Sequence, residues 1–162
     1  MRKKDHIRLA LADKTTLTSL DAYAIDYNSV PRFGLDNLDT STTICNKKWQ
    51  FPFFINAITA GGEECNKINQ DFMEVSKACG IEFFPGSSSP ALKDKNDEAV
   101  YPKGYSINLG LDKDPNLILD AIEKTKAQYI QLHTNPLQEI VMPEGDHNFE
   151  SWLSTLTEVS KK

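Results

Sequence analysis

The run Tyr129-Ile130-Gln131-Leu132-His133-Thr134-Asn135-Pro136-Leu137-Gln138-Glu139, continuing as Ile140-Val141-Met142-Pro143-Glu144-Gly145-Asp146, decides how this chain is read. Residues 129–133 alternate polar and apolar side chains, the period of a short strand. Pro136, which has no N–H to give a ladder, ends it. Four polar groups follow within a few residues: His133, Asn135, Gln138 and Glu139. Parallel α/β proteins present their chemistry in this way, from groups at the C-terminal ends of strands. Gln138 is a neutral donor and acceptor. Glu139 is an anion able to hold a hard cation through oxygen.

The same grammar extends upstream. Phe51 to Ala57 is the most apolar run and reads as a buried strand, with Phe51, Phe53 and Phe54 in the core. Ile81 to Phe84 and Tyr105 to Leu109 are two further strands. Between the first two, residues 63–79 repeat apolar groups at helical spacing, placing Ile68, Phe72, Val75, Ala78 and Cys79 on one face. Gly80 stands where a left-handed C-terminal cap is expected. Residues 115–126 form an amphipathic helix with Pro115 in its first turn and Asp114 as its cap. A last helix starts near Asn148-Phe149 and buries Trp152, Leu153, Leu156 and Val159. Ahead of all this stand a short helix over 4–13 and a small β element between Leu35 and Trp49. There, Thr42-Thr43-Ile44 favours a strand and Asn46-Lys47 favours a turn.

Strands alternating with helices specify an α/β chain with a parallel sheet. Thr59, Ser87, Asn108 and the His133–Glu139 cluster would then gather at one edge of it. The chain reads as one domain over residues 1–162, with 1–50 an N-terminal extension and 51–162 four βα units. A closed eight-stranded barrel needs about 250 residues. Four strands would make about half of one, exposing two strand edges and an apolar face.

Bulk composition excludes several classes. The net charge of −5, with lysine and arginine scattered, argues against general nucleic-acid binding. No apolar run approaches the roughly 18 residues of a membrane span. The apolar stretch after the charged N-terminus is broken by Arg8 and ends at Asp13, too short for a secretory signal. Cys45, Cys65 and Cys79 show no metal-binding spacing, and their odd number fits a reducing compartment. The expected location is cytoplasmic.

Several blocks together resemble the type 2, FMN-dependent isopentenyl diphosphate isomerases. They are Arg2-Lys3-x-x-His6-Ile7, Ser41-Thr42-Thr43, Ile55-Asn56-Ala57-Ile58-Thr59, Gly86-Ser87, Ala91-Leu92-Lys93-Asp94, Asn108-Leu109-Gly110 and the run from Gln131 to Asp146. The resemblance implies a (β/α)8 TIM barrel, of which this chain would be the N-terminal half. It implies FMN at the C-terminal mouth, kept reduced by NADPH, together with Mg²⁺. Isopentenyl and dimethylallyl diphosphate would be substrate and product. Position by position, Ala57, Ile58, Thr59, Ser87 and Asn108 would contact FMN, and Arg2, Lys3 and Gln138 the substrate. Glu139 would hold Mg²⁺, and Gln138 and His133 would be catalytic.

The chain also departs from that pattern. Thr59-Ala60-Gly61-Gly62 carries an extra alanine, Ser88 follows Gly86-Ser87, and the segment between Ala91 and Asn108 is short. The second half of the barrel, with its flavin-side lysine and phosphate-holding loops, is not in this sequence. A homo-oligomer or a complementing C-terminal half would cover the open face. The rival expectation is an inactive half-barrel remnant serving as a structural or dimerising module. A third reading, a relative of the hydroxy-acid oxidases, is opposed by the Gln138-Glu139 pair and the Met142–Asp146 run.

Overall fold

The computed structural model describes residues 2–14, 22–24, 26–27, 29–30, 32–89, 105–143 and 145–161. Its elements, in chain order, are α1 (Arg2–Ala12), a 3-10 turn (Leu35–Asn37), β1 (Thr42–Ile44), β2 (Lys47–Trp49), β3 (Phe54–Ile55) and α2 (Glu63–Cys79). There follow β4 (Glu82–Phe83), β5 (Ile107–Gly110), α3 (Pro115–Thr125), β6 (Ile130–His133), α4 (Pro136–Val141) and α5 (Trp152–Val159). The block Ala91-Leu92-Lys93-Asp94 lies outside the described residues, as do the side chains of Arg2, Lys3 and His6.

β1 and β2 form an antiparallel hairpin, whereas β3–β4 and β5–β6 are parallel pairs. The hairpin turns on Cys45 and Asn46, both at positive φ. Two positive φ values in a two-residue loop match the right-handed twist of the strands. The turn therefore sits one residue earlier than expected, with Lys47 already in β2. Ser88 joins the two parallel pairs: its N–H donates to the Asn108 carbonyl (2.7 Å) and its hydroxyl accepts from the Asn108 N–H (3.2 Å).

The helix ends obey local rules. Gly80 caps α2 in the left-handed region and donates its N–H to the Ser76 carbonyl. At the start of α3, the Asp114 side chain accepts from the Asn116 N–H, with Pro115 in the first turn.

Strand alternation divides the molecule. Ile107 and Leu109 of β5 join Ile118, Ala121 and Val159 in the main core, with Ile130 and Leu132 of β6 packed against it. That face is covered by α3 and α5. The opposite face carries Asn108, Gln131 and His133, because successive side chains on a strand point to opposite sides. Below them Trp49, Phe84 and Tyr129 form a second core cluster. The Trp49 indole N–H donates to the Tyr129 hydroxyl at 2.8 Å. The rings of Trp49 and Tyr129 meet edge to face at 5.5 Å, those of Phe54 and Phe84 at 5.0 Å. Tyr129 precedes Gln131 by two residues and Phe54 precedes Asn56 by two, so an aromatic floor underlies a polar upper layer.

Several expected core residues are not in the core. Phe53 and Phe54 are exposed and the first strand is only two residues long. The apolar run marks surface that no described element covers. In α2 the buried residues are Cys65, Asn69 and Ser76, while Val75, Ala78 and Cys79 are exposed. The helix is rotated because Asn69 is drawn inward to donate to the Thr59 carbonyl at 3.0 Å. In α5, Trp152, Thr155 and Val159 are buried, whereas Leu153 and Leu156 face outward. α1 likewise exposes Leu9 and Leu11.

Glu82 on β4 gives a pH test of this packing. Desolvation raises its carboxyl above the ordinary value of 4.5, against a weaker opposing pull from Lys47. The folded state then holds that proton more tightly than the unfolded chain. Stability from this group is present below pH 4.5 and is lost as pH rises through the raised folded value. Glu82→Gln should therefore melt above wild type at neutral pH, and the gap should close on acidification below the ordinary range. A thermal melt series against pH checks this; a gap that widens in acid would contradict it.

Candidate functional site

A cleft of about 430 Å³ opens on the polar face of the strands. Its wall includes Asn56 to Ala60 after β3, Gly86 and Ser87 after β4, and Asn108 on β5. Gln131 to Asn135 and Gln138 complete it from β6 and α4. The volume suits a small organic ligand. Of the residues expected at the site, Ala57, Ile58, Thr59, Ser87, Asn108, His133 and Gln138 all line this one cleft. Glu139 is adjacent in sequence to Gln138 but does not line it. Arg2 and Lys3 lie on α1, their side chains outside the described residues.

Gly86 makes the cleft's back wall possible. A β-carbon there would fall inside the Thr59 carbonyl group and crowd the Ala60 nitrogen at 2.9 Å. The chains after β3 and β4 approach so closely only because this position has no side chain. Thr59 itself turns inward. Its hydroxyl donates to the Cys65 sulfur at 3.1 Å and the residue is buried, so its share of the cleft is mainly backbone.

Four side chains cross the floor of the cleft in one hydrogen-bonded line. The Gln131 amide donates to Asn56 Oδ1 at 2.8 Å, and the Asn108 amide donates to Gln131 Oε1 at 2.7 Å. His133 Nδ1 lies 2.8 Å from Asn108 Oδ1. The register pairs Asn108 with Gln131 and Gly110 with His133, and a β-carbon on Gly110 would press on the imidazole Nε2 at 3.0 Å. Loss of hydration holds the His133 pKa below 6.5; Glu139 pulls it up and Lys113 pushes it further down.

The segment after β6 is helical, which the sequence reading missed. Asn135 is its N-cap, accepting from the Gln138 N–H at 3.1 Å, while its own amide donates to Gln138 Oε1 at 3.1 Å. Pro136 occupies the first turn. Asn-Pro-x-Gln is a capping-box signature that could have revealed α4, because Pro136 opens a helix as well as closing a strand. The cap aims Gln138 at the cleft. On the next position, Glu139 Oε2 accepts from the Asp146 N–H at 2.9 Å. Asp146 in turn accepts from the Asn148 N–H at 2.9 Å and the Trp152 indole at 3.1 Å. These bonds, led by that to Asn148, hold its pKa below 3.8. The Gly145-Asp146 turn thus ties α4 to α5.

Asn56, Gln131 and Asn135 are lining residues that were not singled out as ligands from sequence. Gln131 shares the parity of His133, and Asn56 stands in the block Ile55-Asn56-Ala57-Ile58-Thr59, but the resemblance assigns neither a ligand role.

Among the described residues no group of three or more His, Cys, Asp or Glu side chains could hold a metal ion. None of the described helices is long and apolar enough to cross a membrane. Cys65 is buried, and Cys45 and Cys79 are exposed free thiols.

No family model matches the chain. It is 35% identical to the isopentenyl-diphosphate delta-isomerase of Streptococcus gordonii over 167 residues, which is 99% of this chain and 50% of that protein. The proteins of the same name from Streptococcus mutans and Streptococcus pyogenes are 35% and 33% identical over the same share of this chain. The chain spans about half the length of these curated relatives, and along almost all of its own length it is homologous to proteins named isopentenyl-diphosphate delta-isomerase.

Proposed function

We propose that this chain is the N-terminal half-barrel of an FMN- and Mg²⁺-dependent isopentenyl-diphosphate delta-isomerase. The observation that carries the reading is convergence. Seven residues that the resemblance places around flavin and substrate, on four separate chain segments, line one cleft. A (β/α)8 barrel accounts for the two parallel strand pairs, and a complementing C-terminal half or a second copy would close the open side.

The residues present fit the ring of a flavin. Its pyrimidine edge alternates donors and acceptors, and the Asn108 and Gln131 amides with the backbone at 57–59 offer both. Reduced FMN, regenerated by NADPH, would supply the acid–base surface that moves a proton onto and off the alkene carbons. Gln138 would orient the substrate from the first turn of α4. Arg2 and Lys3 would neutralise the diphosphate. Glu139 is a single carboxylate, which suits Mg²⁺ bound mostly through substrate phosphate oxygens. The Asp146 N–H holds that carboxylate in place.

The test is a chimera in which residues 1–162 replace the matching region of the Streptococcus gordonii protein. With reduced FMN and Mg²⁺ it should interconvert the two diphosphates. Glu139→Gln should cost at least the roughly 10–100-fold typical of groups that merely orient a metal ligand. Unchanged Mg²⁺-dependent turnover in that variant would remove Glu139 from the metal site. A folded chimera that binds no FMN and turns nothing over would support the inactive-remnant reading instead.

A further inference from the structure

We infer that the amide line Asn56–Gln131–Asn108 is a positioning device that fixes His133 in its Nδ1–H tautomer and leaves Nε2 as a lone-pair acceptor at the rim of the cleft.

The argument follows the donors. Gln131 gives its N–H to Asn56, so its Oε1 is left to accept from Asn108. Asn108 gives its N–H to Gln131, so its Oδ1 is left facing His133 Nδ1. A carbonyl oxygen can only accept, so the proton of a neutral imidazole in this pair must sit on Nδ1. Every link is between 2.7 and 2.8 Å. Asn108 is buried, so leaving either end of its amide unpaired would be costly. The line runs from β6 to β5, back to β6 and across to the chain after β3, so a residue from the far side of the cleft governs the ring. Gly110 has no side chain to crowd Nε2, and the space it leaves is shared by Nε2 and Asp112 Oδ1.

The consequence is chemical. With Nε2 unprotonated, His133 offers the cleft an acceptor for a ligand hydroxyl, N–H or water, or a base for a proton. It does not offer a donor. An unconstrained histidine favours the opposite, Nε2–H form, so the network must impose the difference. Gln131 acts on His133 only through Asn108 and is, for the imidazole, a positioning residue. The assignment holds for the unliganded chain and does not depend on which ligand the cleft takes.

Long-range ¹H–¹⁵N correlation spectra of the ¹⁵N-histidine-labelled chain test it at about pH 8, above the ordinary histidine range. His6, His133 and His147 are the histidines present, and the His133 signals are those lost in His133→Gln. His133 should show a protonated Nδ1 and an unprotonated Nε2. Gln131→Leu should abolish that pattern in favour of Nε2–H. Gln131→Glu, whose carboxylate still accepts from Asn108, should restore it. Asn108→Asp should also keep Nδ1–H, because a carboxylate can only accept. An Nε2–H pattern in the wild-type chain overturns the assignment, and so does an unchanged pattern in Gln131→Leu. If Gln131→Leu does not fold, the wild-type and Asn108→Asp spectra decide alone.

Discussion

Alanine at position 86 is expected to unfold the back wall of the cleft at a cost at or above the upper end of the roughly 1–3 kcal/mol of core overpacking. The new methyl would meet the backbone of Thr59 and Ala60, not the end of a flexible side chain, so no rotamer change relieves it. The segments after β3 and β4 would have to separate. For a chain of this size that corresponds to a fall of roughly 6–12 °C in melting temperature. Ligand binding in the cleft should fall with it, because both displaced segments line it. Gly34→Ala is the control: its β-carbon would find nothing nearer than Asn37 Nδ2 at 4.0 Å. Equal melting temperatures for the two variants would show that the close approach at Gly86 is wrong.

Leu109→Ala should cost about 2–5 kcal/mol, the range for emptying a large buried aliphatic site. Leu109 is 0% exposed and packs in the cluster that joins β5 and β6 to α3 and α5. The neighbours come from both strands and both helices, so collapse around the cavity would disturb all of them. Leu153→Ala on the outer side of α5, at 75% exposure, should stay within about 0.5 kcal/mol. Urea titration of both variants measures the contrast. A loss at Leu153 matching that at Leu109 would mean that a partner covers this helix face in solution. That result would favour the complementing half or second copy in the proposed function.

Much of the cleft's lining was legible in the sequence, although Glu139 does not line it. Ala57, Ile58, Thr59, Ser87, Asn108, His133 and Gln138 were all expected at a site, and all line it. All but Asn108, which faces the cleft from within β5, follow or end a strand, and parallel strands deliver such positions to one edge. Gln131 was the harder case. Its alternation with Leu132 was visible, but its partner Asn56 lies 75 residues away in the chain. Only the β5–β6 register and the approach of the β3 end bring the amides together. Burial was misjudged for a similar reason. The spacing of Leu153 and Leu156 shows that one helix face is apolar, but it does not show what packs against it. The rotation of α2 came from a polar group, Asn69, which apolar periodicity ignores.

Caps, turns and alternation are short-range properties, and Asp114, Gly80 and the β5 and β6 strands were therefore readable from neighbouring residues alone. Which apolar groups are covered, and how His133 is tied through Asn108 and Gln131 to Asn56, depend on distances between segments far apart in the chain. Those distances follow from packing and register, where small steric facts such as the missing side chain at Gly86 outweigh any local preference.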